Sequence, residues 1–345
     1  MAQTRRVIAF SVLYTTLSFG PAYAIEPIPD ESGLSGFLSL GAAYNSAKTN
    51  MIAGNSFGDV GNSAVDSLTN SPDSNKSGSV NFNFDLRYTF ASPRTQLFVG
   101  NSLENALRYD FATQLGVAQE LPGKNLVAAS LLFSSIPTEV WRDPYVLYFE
   151  REETDRKSTG IRLAWDRILG SELQLQYSYR KIELDDEYSG IFLGLSPSER
   201  DLLDREGKVH KAETLYRFFF DSKKHTLIPA VIYTDLDLDG DAMANDGLDF
   251  QLSYGYNSDN YSLVVNVLIG YEDYDKVNPI YFKKRDEDHY GAGLIGFYHN
   301  PFGWSAPGFK RTSLYFKTDY LNSDSNIDFY DTEIFSVGTG LFFRF

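Results

Sequence analysis

One stretch of the sequence, TDLDLDGDAMANDG, has the residue spacing of a calcium-binding loop. Asp235, Asp237 and Asp239 alternate, Gly240 follows them, and Asp246 stands at the twelfth position of the pattern. Carboxylates at alternate positions suit a hard cation, and the glycine permits the sharp turn that such a loop needs. The twelfth residue is Asp where the longer Glu is usual, and no flanking helix is predicted. We treat these four aspartates as a candidate calcium site, and favour the alternative that they form the acidic end of a strand.

Catalytic chemistry has few candidate residues. The chain contains four histidines, which are His210, His225, His289 and His299, and none has a serine two residues later. A serine–histidine pair is what lipases and deacylases of membranes use for acyl transfer. The absence of cysteine excludes thiolate metal sites, disulfides and thiol nucleophiles. We expect no enzymatic activity, and keep a lipid-modifying enzyme as a minor alternative.

The charge of the chain limits its partners. Asp and Glu number 46 against 31 Lys and Arg, which gives a net charge of -15. Such an acidic surface argues against nucleic acid as a partner.

The first residues read as an export signal. Arg5 and Arg6 precede a mostly apolar stretch over 7–19, and residues 22–24, AYA, match the small-residue pattern of a cleavage site. A membrane anchor is the alternative, but the apolar stretch is short for a bilayer span. We predict a cleaved signal peptide at 1–24 and a single domain over 25–345.

Beyond the signal, apolar and polar residues alternate with period two. In VNFNFDLRYTF, Val80 and Phe82 begin an apolar face, while Asp85 and Arg87 lie on the opposite face. LQLQYSY, LDFQLSYGY and TSLYFKTDY repeat the pattern. A strand needs about 9–11 residues to cross a bilayer at a tilt, and the typical strand of a soluble protein has about 5–6. These segments have the longer length.

The connections alternate between short and long. Short turns are predicted near 92–94, 122–124, 170–172, 222–224 and 258–260, with a longer one near 300–308. Longer polar connections are predicted near 46–77, 101–107, 135–155, 185–208, 237–246, 273–286 and 322–329. This alternation indicates an all-β fold, an antiparallel up-and-down transmembrane β-barrel with short periplasmic turns. We count about fourteen strands, with twelve as the alternative because those near 95–100 and 125–134 are short.

Charged residues recur on the polar face of the predicted strands. A closed apolar core could not accept them unpaired, but a watery lumen could. The residues predicted to line the lumen are Asp85, Arg87, Arg108, Asp110, Arg162, Asp166, Arg180, Lys211, Glu213, Arg217, Asp249, Lys317 and Asp319. If the acidic motif is a strand end, Asp235 and Asp237 would face the lumen as well.

Aromatic residues fall near both ends of the predicted strands, as the two interfacial girdles of a membrane barrel require. Those near short turns are Tyr88, Phe90, Phe218, Phe220, Tyr254, Tyr256 and Tyr298. Those near long connections are Tyr44, Tyr109, Phe111, Tyr233, Tyr271, Tyr290 and Tyr320.

The last predicted strand, EIFSVGTGLFFRF, ends on Phe345. Gly340, Phe343 and Phe345 resemble the assembly signal of outer-membrane proteins, which the barrel-assembly machinery reads, although Gly338 stands where a polar residue is usual. The stretch PIPDESGLSGFLSLGAAYNS, followed by NMIAGN, resembles a family of uncharacterised outer-membrane β-barrels of Gram-negative bacteria, a domain of unknown function. This resemblance implies a barrel in the outer membrane, in contact with its lipid and lipopolysaccharide, and implies no activity.

The connection GIFLGLSPSERDLLDREG contains a helix signal. Ser196 and Glu199 form a capping box around Pro197, which predicts a short helix near 197–206. The apolar residues 191–193 before it are unusual for an extracellular loop. They could fold inward as a gate, but we favour packing of one loop on another over the barrel mouth.

Together these features predict a porin-like channel for passive diffusion of small hydrophilic solutes or ions. The alternative is a non-conducting surface or structural barrel that binds through acidic loops. Mixed charge in the lumen would favour the channel, and a helix across the mouth would favour the second function. A serine–histidine pair on the lipid face would favour the enzyme.

Overall fold

The alternating segments of the sequence form fourteen antiparallel strands that close into a barrel in this computed structural model, which describes residues 27–345. The strands, numbered along the chain, are β1 (Gly33–Lys48), β2 (Ser74–Phe90), β3 (Thr95–Asn105), β4 (Asp110–Glu120), β5 (Leu126–Phe133), β6 (Glu153–Asp166), β7 (Leu173–Leu184), β8 (Gly207–Tyr216), β9 (His225–Leu238), β10 (Asn245–Asn257), β11 (Tyr261–Asn278), β12 (Lys283–His299), β13 (Arg311–Ser325) and β14 (Thr332–Arg344). The barrel closes where β1 pairs with β14. The predicted signal peptide, 1–24, lies outside the described residues.

The prediction of a fourteen-stranded antiparallel barrel is confirmed. Two predicted segments were short enough to make a count of twelve strands the alternative. Both are strands in the structure, β3 and β5. A further short strand, Phe218–Phe220, continues β8 along β9 after a break at Arg217.

The connections give the barrel two unlike ends. At one, which we call the turn end, the strands are joined by 91–94, 121–125, 167–172, 221–224, 258–260 and 300–310. At the other, the loop end, they are joined by 49–73, 106–109, 134–152, 185–206, 239–244, 279–282 and 326–331. Three short strands in the loops, Ile52–Asn55, Gly58–Asp59 and Thr138–Trp141, extend the sheet above β6. One α-helix, α1, covers Pro197–Asp201.

One predicted connection, 273–286, is wrong. The strands β11 and β12 continue through most of it and are joined only by 279–282, with a shift in register between Asp273 and Val277. The residues there are charged because this hairpin extends into solvent, and their polarity alone suggested a loop.

The outer surface of the barrel is apolar between its two ends. Leu40, Val80 and Ile269 are 56%, 50% and 62% exposed on this surface. An exposed apolar belt around a closed barrel, with every strand paired to a neighbour, is what a bilayer-spanning barrel presents to lipid. Most of the predicted girdle residues, such as Tyr44 and Tyr88, are exposed at its borders. Within residues 27–345, no helix has the length and apolar character to cross a membrane.

An apolar cluster covers the lumen at the loop end, and we call it the loop core. It consists of Val140, Tyr145, Ile182, Leu184, Leu203, Val209, Leu236, Leu238, Met243, Ala244, Ile327, Phe329 and Tyr330. Inner-face residues of the strand ends and residues of four loops contribute to it. The loops therefore pack on one another above the lumen.

The segment before β1 covers part of the lumen at the turn end. Ile28 is 2% exposed and packs against Ala118 and Leu126. Arg94 holds this segment by donating hydrogen bonds to the carbonyls of Ile28, at 2.7 Å, and Pro29, at 2.8 Å. The lumen is thus narrowed at both ends.

Candidate functional site

The barrel wall is interrupted where β3 meets β4. The strand β3 pairs with β2 only over 95–100, and β4 pairs with β5 only from Thr113 onward. Beyond these limits β3 and β4 pair only with each other, as far as Asn105 opposite Asp110. The segment 101–112 therefore leaves the wall, and we call it the inward hairpin.

The inward hairpin reaches across the lumen. Arg108, at its tip, donates a hydrogen bond from Nη2 to Oε2 of Glu272 on β11, 2.9 Å away. Tyr109 packs with Leu321 of β13 and Ile334 of β14. Because β11 stands opposite β3 and β4 in the ring of strands, the hairpin tip spans the width of the barrel.

Charged side chains of β6, β7 and β8 fix the base of the inward hairpin. Glu104 forms an ion pair with Arg162, and Asp110 forms one with Arg180 at 2.7 Å. Lys211 donates to the carbonyl of Glu104 at 3.0 Å. Removing one partner of a buried pair costs about 3–5 kcal/mol because the other charge is left uncompensated. The hairpin is therefore held inside by electrostatics at both base and tip.

A cavity of about 180 Å³ lies beside the inward hairpin, and we call it the charged cavity. Its ionisable lining consists of Arg108, Arg156, Arg180, Arg205, Lys211 and Arg285 on the cationic side, with Glu104, Asp110, Asp249, Glu272, Glu287 and His289. Such a volume accommodates on the order of ten waters. A hydrophilic solute in this cavity would meet both donors and charged acceptors.

Arg285 connects the charged cavity with the loop core. Its guanidinium carbon lies 4.2 Å from the ring centroid of Tyr274 and 3.9 Å from that of Tyr330, and it pairs with Glu287. A cation held over aromatic rings and removed from water contributes about 2 kcal/mol. Displacement of Tyr330 would therefore disturb the charges that line the cavity.

Hydrogen bonds between loops close the mouth above the charged cavity. The hydroxyls of Tyr145 and Tyr330 lie 2.7 Å apart, and Asn278 donates to the Tyr330 hydroxyl at 2.8 Å. Arg151 donates to the carbonyls of Asn50, at 2.9 Å, and Pro144, at 3.1 Å. Burial raises the pKa of the Tyr145 hydroxyl well above its ordinary value, and burial raises the pKa of Tyr330 as well.

The loop before α1 lies in this cover and not in the lumen, so the favoured prediction, packing on other loops over the mouth, is confirmed. Ile191 and Phe192 are 46% and 43% exposed, and Leu193 packs on the loop core. Ser196 and Glu199 form the capping box, but the helix ends at Asp201. The next residues turn inward, where Leu203 is fully buried, so the segment packs on other loops instead of constricting the barrel.

The charged residues predicted to line the lumen lie inside the barrel, on the wall or on the inward hairpin, in two groups. The group around the charged cavity consists of Arg108, Asp110, Arg162, Arg180, Lys211 and Asp249. The second group consists of Asp85, Arg87, Asp166, Glu213, Arg217, Lys317 and Asp319. In this second group Asp166 accepts from Arg217 at 2.7 Å and Asp85 accepts from Arg87 at 3.1 Å. Asp85 and Asp166 are 0% exposed, so the lumen around these pairs is packed instead of water-filled.

The four aspartates of the calcium pattern are not gathered into a cage. Asp235 stands opposite Asp246 in the ladder between β9 and β10, and Asp246 accepts from the hydroxyl of Tyr233. Asp237 and Asp239 are exposed. Across the part of the chain that the structure describes, no three His, Asp or Glu side chains are grouped to hold a metal ion. Calcium binding here stays a prediction.

The interpretation that Asp235 and Asp237 face the lumen is wrong. They share the outer face with Tyr233, which is 46% exposed. Leu236 and Leu238 occupy the inner positions and join the loop core. The strand alternates as expected, and it is the apolar residues of the motif that point inward, because the loop core covers the mouth at this level.

One histidine has serine partners, but not on the lipid face. The Nε2 of His299 lies 2.7 Å from the hydroxyl of Ser262, and its Nδ1 lies 2.8 Å from that of Ser313. All three side chains are buried inside the barrel. Ser262 also donates to Asn257 at 2.6 Å. This arrangement is an internal hydrogen-bond network, and it gives a lipid substrate no access.

The inward hairpin was missed by sequence reasoning. The pattern predicts an ordinary connection near 101–107, followed by a strand that carries Arg108 and Asp110 on its polar face and Tyr109 in a girdle. A signal was present, because Glu104, Ala106 and Leu107 break the alternation just where the strand would leave the bilayer. Tyr109 is packed in the lumen because the whole tip turns inward.

Comparison with known proteins gives a family and a set of distant folds. The profile of the family described as "Protein of unknown function (DUF2860)" matches residues 33–344, which is the whole barrel. No curated protein has a matching sequence.

Several solved structures align along most of the chain. OmpT (in-vitro folded), an outer membrane protein of Vibrio cholerae, is 9% identical, covers 93% of this chain and 100% of its own, and has a TM-score of 0.41. The CymD monoaromatic hydrocarbon channel is 10% identical over 90% of this chain and 88% of its own, with a TM-score of 0.42. The outer membrane protein OprD from Pseudomonas aeruginosa is 12% identical over 93% and 96%, with a TM-score of 0.35. Likenesses this distant carry no argument about function, which must come from the geometry.

Proposed function

The chain belongs to the family described as "Protein of unknown function (DUF2860)", and we propose that it is a narrow, gated, porin-like channel for small hydrophilic solutes or ions. The observation that supports the proposal most is the charged cavity of about 180 Å³ beside the inward hairpin. Acidic and basic side chains, such as Asp249 and Arg156, face this cavity inside a barrel whose outer surface is apolar. Polar and charged linings are how channels replace the hydration shell of a passing solute.

Two barriers stand in the path of a solute. The first is the inward hairpin, which sets the bore of the lumen through the contact of Arg108 with Glu272. The second is the loop core, in which segments of the loops cover the mouth. Loop segments can move without breaking the ladders of the wall, and such openings occur in microseconds to milliseconds. We therefore assign the gate to the loop core and the size limit to the inward hairpin.

The proposal includes the place of the protein in the cell. We propose export through residues 1–24 and residence in the outer membrane, in contact with its lipid and with lipopolysaccharide. The barrel-assembly machinery would read Gly340, Phe343 and Phe345. The apolar outer belt and the unlike ends of the barrel support this placement.

A second candidate function is a non-conducting barrel that binds ligands at its surface. The loop core covers one end of the lumen and Ile28 packs into the other, and both observations favour it. The exposed loop residues would then be the functional surface. We place this function second because a permanently closed barrel has no need of ionised groups around an internal cavity, where they are costly to bury.

Single-channel recording in a planar bilayer separates the two functions. The refolded wild-type chain is compared with a variant in which 190–202 is replaced by a short Gly–Ser linker, which removes α1 from the mouth. We expect brief openings of small conductance in the wild type and a several-fold higher open probability in the variant. The acidic loops predict a mild cation preference, which the reversal potential in a salt gradient measures.

A matched control replaces 303–308, at the turn end, by the same linker, and its open probability should equal that of the wild type. Folding of each protein is checked by the shift in gel mobility between unheated and boiled samples. Silent bilayers with folded wild type and folded loop variant would reject the channel and leave the binding barrel.

A further inference from the structure

The wall between β2 and β3 contains a gap in its hydrogen-bond ladder. The strand β2 pairs with β3 only from Asp85 to Phe90, although β2 continues to Ser74. The inward hairpin turns away from residues 80–84 of β2, so this edge has no neighbouring strand in the described part of the chain. Gly58 of the first loop lies against Ser79 and bounds the gap on the loop side.

A side chain bridges the lower end of the gap. The Oδ1 of Asn101 accepts from the backbone N–H of Phe84 at 2.7 Å, and its Nδ2 donates to the carbonyl of Phe82 at 3.2 Å and to the Oδ1 of Asn83 at 2.9 Å. The side-chain amide of Asn101 thus replaces the backbone of a neighbouring strand for Phe82 and Phe84. Above Asn101 the edge of β2 is open.

A second cavity, of about 140 Å³, lies at this open edge, and we call it the edge cavity. It is lined by Val80 and Phe82, which face outward, and by Asn81 and Asn83, which face inward. Successive residues of a strand point to opposite faces. A cavity that contacts both the outward-facing and the inward-facing residues must therefore extend around the free edge of the strand. Ser336 of β14 lines its inner part, so the edge cavity joins the lumen to the outer surface.

The gap opens at a level that faces lipid. Gly78, just above it, is opposite Tyr44 of the girdle near the loops, and Tyr88 of the girdle near the turns lies below. Val80 and Phe82 are 50% and 44% exposed on the apolar outer surface between these girdles. Backbone N–H and C=O groups at such a depth are tolerated only where they line a polar cavity. The free edge of β2 is therefore solvated from the edge cavity.

The lining of the edge cavity specifies the chemistry of an occupant. Its outer rim is apolar, with Val80 and Phe82, and its inner part carries carboxamides and the ion pair of Lys317 with Asp319, whose charges compensate each other. Among the described residues, the Nδ2 of Asn81 is buried without a hydrogen-bond partner, which leaves one donor for an oxygen atom. A cavity of about 150 Å³ is large enough to hold benzene, so a single ring fits the volume of the edge cavity.

We propose that the gap is a side port, through which uncharged amphipathic molecules of one aromatic ring pass between the lumen and the half of the bilayer nearer the loops. The ring lies against Phe82 and Val80, and a hydroxyl accepts from Asn81. The port is separate from the mouth under the loop core, and its use does not depend on whether ions pass that mouth.

Thiol labelling in lipid vesicles tests the side port, since the chain has no native cysteine. Ser336→Cys places a reporter at the inner end of the edge cavity. Its reaction rate with N-phenylmaleimide, an uncharged one-ring reagent, is compared with that of a sulfonated phenylmaleimide that stays in water. With both rates normalised to free cysteine, we expect the uncharged reagent to be at least tenfold faster.

A second substitution blocks the port. Asn81→Trp in the reporter chain fills the edge cavity and should slow the uncharged reagent at least tenfold, while Leu252→Trp, on the lipid face of the fully paired β10, should leave the rate unchanged. An equal rate for the charged reagent, or no effect of Asn81→Trp, would overturn the proposal.

A widening variant covers the case in which Asn81→Trp does not fold. Phe82→Ala removes the ring at the outer rim and should speed the reaction of the reporter with a two-ring naphthylmaleimide at least fivefold. If the rate with the two-ring reagent stays at the wild-type value in a folded Phe82→Ala chain, the gap is not the path and the side port is rejected.

Discussion

Two parts of the barrel wall differ in how completely their strands pair. In the part from β10 through β14 to β1, which we call the regular wall, neighbours pair over nearly their whole length, as β1 and β14 do from Phe37 opposite Arg344 to Lys48 opposite Glu333. In the part from β2 to β5, which we call the broken wall, β2 and β3 pair only from Asp85 to Phe90. The inward hairpin, the edge cavity and the bridging Asn101 all belong to the broken wall.

The difference separates the residues that hold the barrel together from those that shape its inside. An unpaired backbone group in hydrocarbon costs several kcal/mol, so a gap persists only where side chains or a polar cavity replace the lost ladder. Asn101 and the edge cavity do this in the broken wall. The regular wall keeps its ladders and depends on close backbone packing.

The largest expected effect comes from adding a side chain where the regular wall is tightest. Gly41 lies opposite Gly340, and a Cβ on Gly41 would come 2.2 Å from the Tyr315 hydroxyl and 2.4 Å from the carbonyl of Thr339. Gly41→Val should therefore prevent closure of β1 on β14, because overpacking costs about 1–3 kcal/mol even where neighbours can shift. Loss of the heat-modifiable band on unboiled gels measures it.

Gly78→Val is the matched control in the broken wall. A Cβ on Gly78 meets nothing closer than the carbonyl of Ala43, at 3.9 Å. This variant should give wild-type yields of folded barrel, so equal losses at the two glycines would show that the walls do not differ in the way their ladders suggest.

The second prediction concerns assembly at the seam of the regular wall. The backbone of Phe345 donates to and accepts from Gly36, at 3.1 and 3.3 Å, and Phe345→Ser leaves these bonds in place. If the ring itself is read during assembly, the amount of protein in the outer membrane should fall several-fold. Immunoblots of membrane fractions measure the amount, with Phe335→Ser, on the lipid face of the same strand, as control. Equal amounts of both variants would contradict the assembly signal.

The regular wall is also the part that the sequence predicts well. Its strands alternate cleanly, as in LDFQLSYGY and TSLYFKTDY, because one face meets lipid and the other meets the lumen along the whole strand. Strand number, topology and most connections followed from this pattern. The predicted strands β11 and β12 are too short only because the tip of their hairpin is charged, as solvent-exposed residues are.

The broken wall could not be predicted in the same way. Whether Glu104 faces a loop or the lumen depends on Arg162 and Lys211, which lie more than fifty residues further along the chain. The charged pattern showed which residues point inward, but not that ion pairs would pack one half of the lumen and leave a cavity in the other. The pairing of side chains from distant strands decides which half of the lumen is packed. The alternation within one strand does not show this pairing.

The third prediction tests whether the inward hairpin sets the bore. Arg108→Ser removes the side chain that crosses the lumen to Glu272, while Thr138 still holds the tip through the carbonyl of Tyr109, so the bore should widen and the single-channel conductance should rise about two- to threefold. The barrel should fold normally, because the ladder of β3 with β4 is kept. Lys181→Ser, which breaks an exposed ion pair with Glu183 on β7, serves as control. Unchanged conductance in Arg108→Ser would place the constriction elsewhere.

The smallest effect concerns the loop core, which covers both walls and can open without disturbing either. Burial raises the pKa of Tyr145 above its ordinary value of about 10. In the closed mouth the hydroxyl therefore stays protonated, while in the open mouth it titrates near pH 10. The closed state keeps its full stability below about pH 10 and loses it as the pH rises further, by up to a tenfold change in the equilibrium per pH unit for one proton. Between pH 10 and pH 10.5 the open probability should thus rise about twofold for this tyrosine.

Tyr145→Phe separates this titration from general alkaline damage. Loss of the bond to Tyr330, 2.7 Å long in the wild type, should raise the open probability at pH 7 about fivefold, since such a bond contributes about 1 kcal/mol. The same substitution removes a titrating group, so the rise above pH 10 should be shallower than in the wild type. Equal slopes in the two proteins would mean that Tyr145 does not control the mouth, and that alkaline opening, if seen, arises from the ion pairs of the wall.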